Sequence, residues 1–235
     1  MKSILHKANT RGHANHGWLD SWHSFSFAGY YDPQRMHFGA LRVLNDDSVA
    51  PGMGFGRHPH DNMEIISIPL EGDLEHQDNM GTRQVIRKGD VQVMSAGTGI
   101  EHSEKNKNND LQVKFLQIWI FPNQKNISPR YDQKTFTEEE KKNKLVTIVS
   151  PLGSDEGVHI HQDAWFSLGN LDKDTQLNYT LKNKDHGVYA FLLEGDVTIN
   201  DIVLNRRDGL GVSEIEELKI KADSDSELLL MEVPL

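Results

Sequence analysis

Two short segments carry residues that could bind a metal. His58-Pro59-His60 and His102-Ser103-Glu104 each place two ligating side chains two positions apart. In a β-strand such residues share a face, with Cα atoms roughly 6.5–7 Å apart. Two imidazoles there can close on one ion at about 2.0–2.1 Å from each nitrogen. Pro59 would face the other way and suits a strand start or an edge, because it has no N–H for a ladder. One His-x-His is a weak signal, but two pairs in one small β-domain are a stronger one. Three imidazoles and a carboxylate fit a mid-series divalent ion and leave one or two positions for water, substrate or dioxygen. Glu64 competes with Glu104 for the carboxylate place. It has the parity of His58 and His60, but four residues of strand put it roughly 13 Å beyond His60. Glu104 is therefore preferred and Glu64 is the second choice.

The elements that must position these pairs are short and β-rich. Glu64–Leu70, Val91–Met94, Gln112–Phe121, Leu145–Val149, Val188–Leu193 and Leu228–Val233 lie between Gly- and Asp-containing turns, with no βαβ alternation. The pattern predicts an all-β sandwich or barrel. One helical stretch is expected, Thr137–Asn143, with Thr137 as cap. It lies in a polar segment, Pro122 to Lys144, that reads as a linker. Leu70-Glu71-Gly72-Asp73-Leu74 returns as Leu193-Glu194-Gly195-Asp196-Val197, which points to a duplicated β-domain. The chain then divides into residues 1–122, a linker with a short helix at 123–144, and residues 145–235. The 235 residues are compatible with that division.

The repeat also tests the second half for a site. His58 and His60 precede Gly72 by 14 and 12 residues, and the same offsets from Gly195 reach Leu181 and Asn183. The C-terminal barrel is therefore expected to hold no metal. His159-Ile160-His161, with Asp163 nearby, has ligand spacing but falls before the second repeat and has no histidine–carboxylate pair after it. His6, His13, His16, His23, His37, His76 and His186 stand alone and read as surface or hydrogen-bonded side chains. Phe25, Phe27, Phe55, Trp119 and Trp165 read first as core. Phe55 is the best candidate to wall a pocket, although its parity opposes that of the histidines.

Composition excludes several functions. There is no cysteine, so disulfides, zinc–thiolate sites and thiol nucleophiles are ruled out. With 25 Lys and Arg against 35 Asp and Glu, the net charge of −10 argues against phosphate-gripping nucleic-acid binding and against a polybasic membrane binder. No nucleophile elbow, Walker loop or dinucleotide fingerprint is present. Met1 to Trp18 has no apolar signal-peptide core, so a cytoplasmic location is expected.

Gly52 to Glu64, and Gly89 to His102 with Asn106, resemble the two metal motifs of the cupin superfamily. The Glu64 to Gly72 spacing is one residue long, Ser95 stands where proline is usual, and His102 comes two residues late. Those departures match one branch. Ser24-Phe25-Ser26-Phe27, Leu41–Asp47, Gly54–His60, Met63-Glu64-Ile65 and Ala96–Glu104 resemble the pirin family over residues 17 to 122, and more weakly beyond through Ile160–Ala164. The length is similar to that of the shorter bacterial members. The resemblance implies a bicupin of two antiparallel jelly-roll barrels, with one metal in the first. Its ligand set maps onto His58, His60, His102 and Glu104. It implies Fe(II) as the usual ion, with Cu, Ni, Mn, Co or Zn as alternatives. It also implies a quercetin 2,3-dioxygenase: the metal chelates a flavonol or related enolic or phenolic substrate, Glu104 accepts the 3-hydroxyl proton, and dioxygen cleaves the ring to a depside and carbon monoxide. The other function found in the family is that of a non-catalytic, iron-binding transcriptional coregulator or redox sensor, which would need a protein partner. A monomer is expected.

Overall fold

The computed structural model describes residues 1–235 and is built almost entirely of strands. They form two barrels, each made of one seven-stranded and one four-stranded sheet. In the N-terminal barrel the large sheet runs, in spatial order, Arg130–Thr135, Asp90–Ser95, Glu64–Glu71, Val113–Ile120, Leu41–Val49, Leu19–His23 and Gly12–Asn15. The small sheet facing it runs Gly54–His60, Ile100–Asn106, Asp73–Asp78 and Arg83–Arg87. In the C-terminal barrel the large sheet runs Lys2–His6, Gly209–Ser213, His186–Glu194, Ser226–Pro234, Trp165–Leu171, Val146–Pro151 and Val158–Ile160. Its small sheet runs Gln176–Thr180, Glu217–Ala222, Asp196–Ile199 and Ile202–Asn205. The all-β bicupin architecture is therefore present. The repeated Leu-Glu-Gly-Asp sits at the same corner of each barrel, where Gly72 and Gly195 both adopt a left-handed φ, +72° and +83°.

The two large sheets pack face to face. Leu44, Ile66, Ile68, Leu116 and Ile118 from one and Val149, Phe166, Tyr189, Phe191, Leu229 and Met231 from the other belong to one buried cluster of 25 residues. Their sequence neighbours point away from this seam into the barrels. That is why central strands such as Glu64–Glu71 read as unbroken apolar runs: both faces are covered.

Two segments cross the expected division at 122 and 145. Lys2–His6 crosses over and pairs antiparallel with Gly209–Ser213 of the C-terminal barrel. Arg130–Thr135, inside the expected linker, is an edge strand paired with Asp90–Ser95 of the N-terminal barrel. The helix is there but short, Glu138–Lys141, with Thr137 and Glu140 forming a reciprocal capping box. No helix is long and apolar enough to cross a membrane.

Candidate metal centre

The strands Gly54–His60 and Ile100–Asn106 are antiparallel neighbours, and His102 lies opposite His58. This pairing brings the two segments together. The ring centroids of His58, His60 and His102 are 4.4–4.9 Å apart, and their candidate ligand nitrogens all lie within 4.8 Å of one another. Between His102 and Glu104 the register slips: Glu104 lies opposite Phe55, so the Gly54–His60 strand carries one extra residue. Such a bulge reverses the facing of everything before it. Phe55 therefore turns inward with the histidines, against the parity expectation. Gly54 allows the close strand approach, since a Cβ there would come 2.3 Å from the Glu104 carbonyl oxygen.

Hydrogen bonding leaves one nitrogen of each imidazole free. His58 Nδ1 lies 2.8 Å from the Gly56 carbonyl oxygen and donates to it, so its Nε2 carries the lone pair. His60 Nε2 and His102 Nε2 are buried without a protein partner. Burial, then the neighbouring imidazoles, lowers the His60 pKa to about 4 and the His102 pKa to about 3. The trio thus offers convergent lone pairs with no competing donor, which is what a divalent ion asks of imidazole. The donor set fits a metal.

His102 is held from behind by His76, expected to stand alone, and by Asp78. Its Nδ1 lies 3.4 Å from His76 Nδ1, and His76 Nε2 lies 3.1 Å from Asp78 Oδ2. Asp78 Oδ1 accepts the Met80 and Thr82 amides. A carboxylate can only accept, so His76 donates from Nε2 and receives at Nδ1 the proton of His102 Nδ1. That fixes the His102 tautomer with its Nε2 lone pair forward. Burial pushes the Asp78 carboxyl up, but the bonds from His76 and Thr82 outweigh it and hold the carboxyl below its ordinary range. The register could have flagged this group, because His102 pairs with Asp78 and Glu104 with His76. That signal is visible only once the strands are paired.

Glu104, the expected fourth ligand, lines the same cavity as His58 and His60 but is not in the group of ligand atoms that lie within 4.8 Å of one another. Its Oε1 accepts from the Ser67 hydroxyl at 3.0 Å and its Oε2 from Gln117 Nε2 at 2.7 Å. Glu64, the second choice, is elsewhere. A turn at residues 61–63, with Asn62 at φ +45°, separates it from His60. It faces the other barrel: Ser95 of the adjoining strand donates to it at 2.7 Å, and His161 of the C-terminal half lies 3.6 Å away. His161 is thus part of the seam between barrels.

A cavity of about 320 Å³ opens from the histidines into the barrel. Phe55, Phe27, Trp119, Leu19 and Ile65 give it a mostly apolar lining, and His58, His60 and Glu104 lie along one side. Phe27 and Trp119 meet edge to face at 5.4 Å, and Trp119 meets His60 in the same way at 5.0 Å. The volume is at the lower end of the roughly 300–1,000 Å³ usual for small-molecule sites.

Known proteins match this chain along its whole length. Residues 5–120 match the family model described as Pirin, and residues 147–233 match that of the quercetinase C-terminal cupin domain. The quercetin 2,3-dioxygenase of Escherichia coli K12 is 46% identical over 230 residues, 98% of each chain. A pirin-like protein of Caulobacter vibrioides is 41% identical over 222 residues, 94% of this chain and 95% of its own. The crystal structure of the bacterial pirin YhhW from Escherichia coli in complex with nickel(II) superposes with a TM-score of 0.94 at 45% identity, covering 99% of both chains. With its two cupin barrels, its histidine trio and this likeness from end to end, the chain belongs to the pirin family.

Proposed function

We propose that this protein is a metal-dependent dioxygenase that opens flavonols such as quercetin, acting in the cytoplasm as a monomer with Fe(II) as its metal. The observation that carries the proposal is the junction of three unpaired imidazole nitrogens with an aromatic-lined cavity of three-ring size. The similarity to proteins named quercetin 2,3-dioxygenase supports it. His58, His60 and His102 hold the ion, and Glu104 is the fourth ligand. A divalent ion held by these donors supplies Lewis acidity toward the adjacent hydroxyl and carbonyl oxygens of a flavonol.

The chain's own residues do the rest. Ser67 and Gln117 fix both Glu104 oxygens and so hold the carboxylate in one orientation in the cavity wall. Phe55, Phe27 and Trp119 present flat apolar surface to the substrate rings and exclude water from the reacting face. The acidic 3-hydroxyl needs a proton acceptor in the same cavity, and its lining contains two carboxylates, Glu104 and Asp47. A non-catalytic iron sensor would need a filled coordination sphere and no substrate space, so the cavity favours the enzyme.

The test is oxygen uptake and carbon monoxide release from quercetin by Fe(II)-loaded protein, with metal content measured alongside. Uptake that is lost together with the metal in Glu104→Gln is expected. A fully loaded protein that consumes no oxygen with any of a flavonol panel would refute the assignment.

A further inference from the structure

The cavity wall opposite the histidines has a second polar group. In the pairing of Leu19–His23 with Leu41–Val49, Ser21 lies opposite Asp47 and His23 opposite Asn45. All four side chains line the cavity. The Ser21 hydroxyl donates to Asp47 Oδ1 in a short hydrogen bond. Ser21 has one proton and has given it to the carboxylate, so at its 2.8 Å contact with His23 Nε2 it must accept. The order is then His23 Nε2–H to Ser21 O–H to Asp47 Oδ1. Asp47 Oδ2 takes part in no hydrogen bond within the protein, and His23 Nδ1 is buried without a partner.

Three residues that are only 2–3% exposed thus form a polar chain ending in a free carboxylate oxygen. No cation pairs with Asp47. An uncompensated buried carboxylate is costly away from bulk water. Burial raises its pKa to about 7, and lowers that of His23 to about 4. The ionisable neighbours of Asp47 are His23 and Asp20 on one adjoining strand, Asp46 on its own, and Glu104 from the facing sheet. Asp46, Glu104 and Asp20 all favour the protonated form. Glu104 is placed differently, since both of its oxygens are occupied by donors. A carboxylate that also faces a divalent ion is a poor base.

We propose that Asp47, braced by Ser21 and His23, accepts the proton of the substrate's acidic hydroxyl, and that Glu104 serves only to hold the ion. The inference rests on the flavonol reading above and moves the base expected at Glu104 to the opposite wall. The substrate O–H bond breaks and an O–H bond forms at Asp47 Oδ2. The electron pair stays on the substrate oxygen, and the Ser21 and His23 protons remain in place.

The experiment compares metal-loaded parent and Asp47→Asn under argon, following the absorption band of bound quercetin across pH. The substitution keeps the acceptor for Ser21. The parent is expected to bind quercetin as its anion at pH 7. Asp47→Asn should keep its metal but need a pH higher by about one unit or more, with kcat/KM at pH 7 down about 100-fold once air is admitted. Asp47→Glu should recover part of the loss. If Asp47→Asn loses metal, Ser21→Ala carries the comparison in the opposite sense, with a smaller displacement to lower pH, because the lost Ser21 bond leaves Asp47 the stronger base. Superimposable pH profiles for parent and variant, or quercetin that stays protonated in the parent at pH 7, would overturn the assignment. A parent that ionises quercetin in an Asp47-dependent way yet consumes no oxygen would refute the dioxygenase reading and leave the proton acceptor standing.

Discussion

The two barrels share strand order and corner turns but line their interiors in opposite ways. The N-terminal barrel turns Ser21, Asn45, Asp47, Ser67 and Gln117 inward around a cavity. The C-terminal barrel instead fills its interior with side chains such as Leu192, Leu204, Leu218, Ile220 and Leu230, all buried in one apolar cluster of 16 residues. Its Gln176–Thr180 and Glu217–Ala222 strands are the counterparts of those bearing the histidines, and the buried positions on the second are Leu218, Ile220 and Ala222, which offer no ligand atom. Leu181, reached by the repeat offset, is itself buried there.

The buried carboxylates make the contrast sharper. Glu232, in the C-terminal barrel, accepts the Tyr179 hydroxyl and the Lys182 and Asn183 amides, and so ties a loop to a strand. Asp47 accepts one hydroxyl and keeps an oxygen free toward the cavity. A fully satisfied buried acid stabilises structure, whereas a partly satisfied one is available for chemistry. One architecture thus encloses a polar-walled cavity in one half and a solid apolar core in the other.

The largest effect expected from this division is on the metal. His58→Ala or His102→Ala should lower the metal content from about one ion per chain to background while the fold persists by circular dichroism. Retention of a full equivalent in both variants would mean that the second barrel also binds metal. Next is the apolar barrel. Leu192→Ala should cost about 2–5 kcal/mol in denaturant unfolding and leave metal content unchanged. A change in metal content there would show that the halves are coupled.

At the seam, Glu64 offers a test by pH. Burial raises its carboxyl from 4.5 to about 7. Between those values the folded chain keeps a proton that the unfolded chain releases. This residue's contribution to stability therefore falls as pH rises through that window and levels off above it. Glu64→Gln removes the loss. Its stability relative to the parent should be near zero at pH 4.5 and reach on the order of 2–3 kcal/mol by pH 8. A difference that does not depend on pH would show that Glu64 is not buried as described. The smallest effect is behind the site, where His76→Ala should weaken metal affinity about 10–100-fold, as read by chelator competition. An unchanged affinity would show that His102 needs no orientation from His76.

Much of this was legible in the residues. The central strands stood out as apolar runs because each is covered on both sides, and the histidine pairs because spacing of two is a strand property. Parity failed where the backbone breaks its own period. The turn at 61–63 sends Glu64 to the seam, and the bulge opposite Glu104 brings Phe55 inward. Ser21, His23, His76 and Asp78 could not be found by spacing, because each acquires its role from a cross-strand neighbour distant in sequence. Arg130–Thr135 was hidden because an edge strand, half exposed, looks as polar as a linker.

The crossing of Lys2–His6 into the far sheet constrains how the molecule can be assembled. That segment gains its ladder from Gly209–Ser213 and its deepest anchor from the His6–Tyr189 contact. During synthesis Lys2–His6 must stay unpaired until Gly209–Ser213 has been made. The first barrel produced by itself would carry a dangling strand, and the second would expose a raw edge open to another chain. Separate expression of the halves should yield sticky fragments, and mixing them should restore solubility only when residues 2–6 are included.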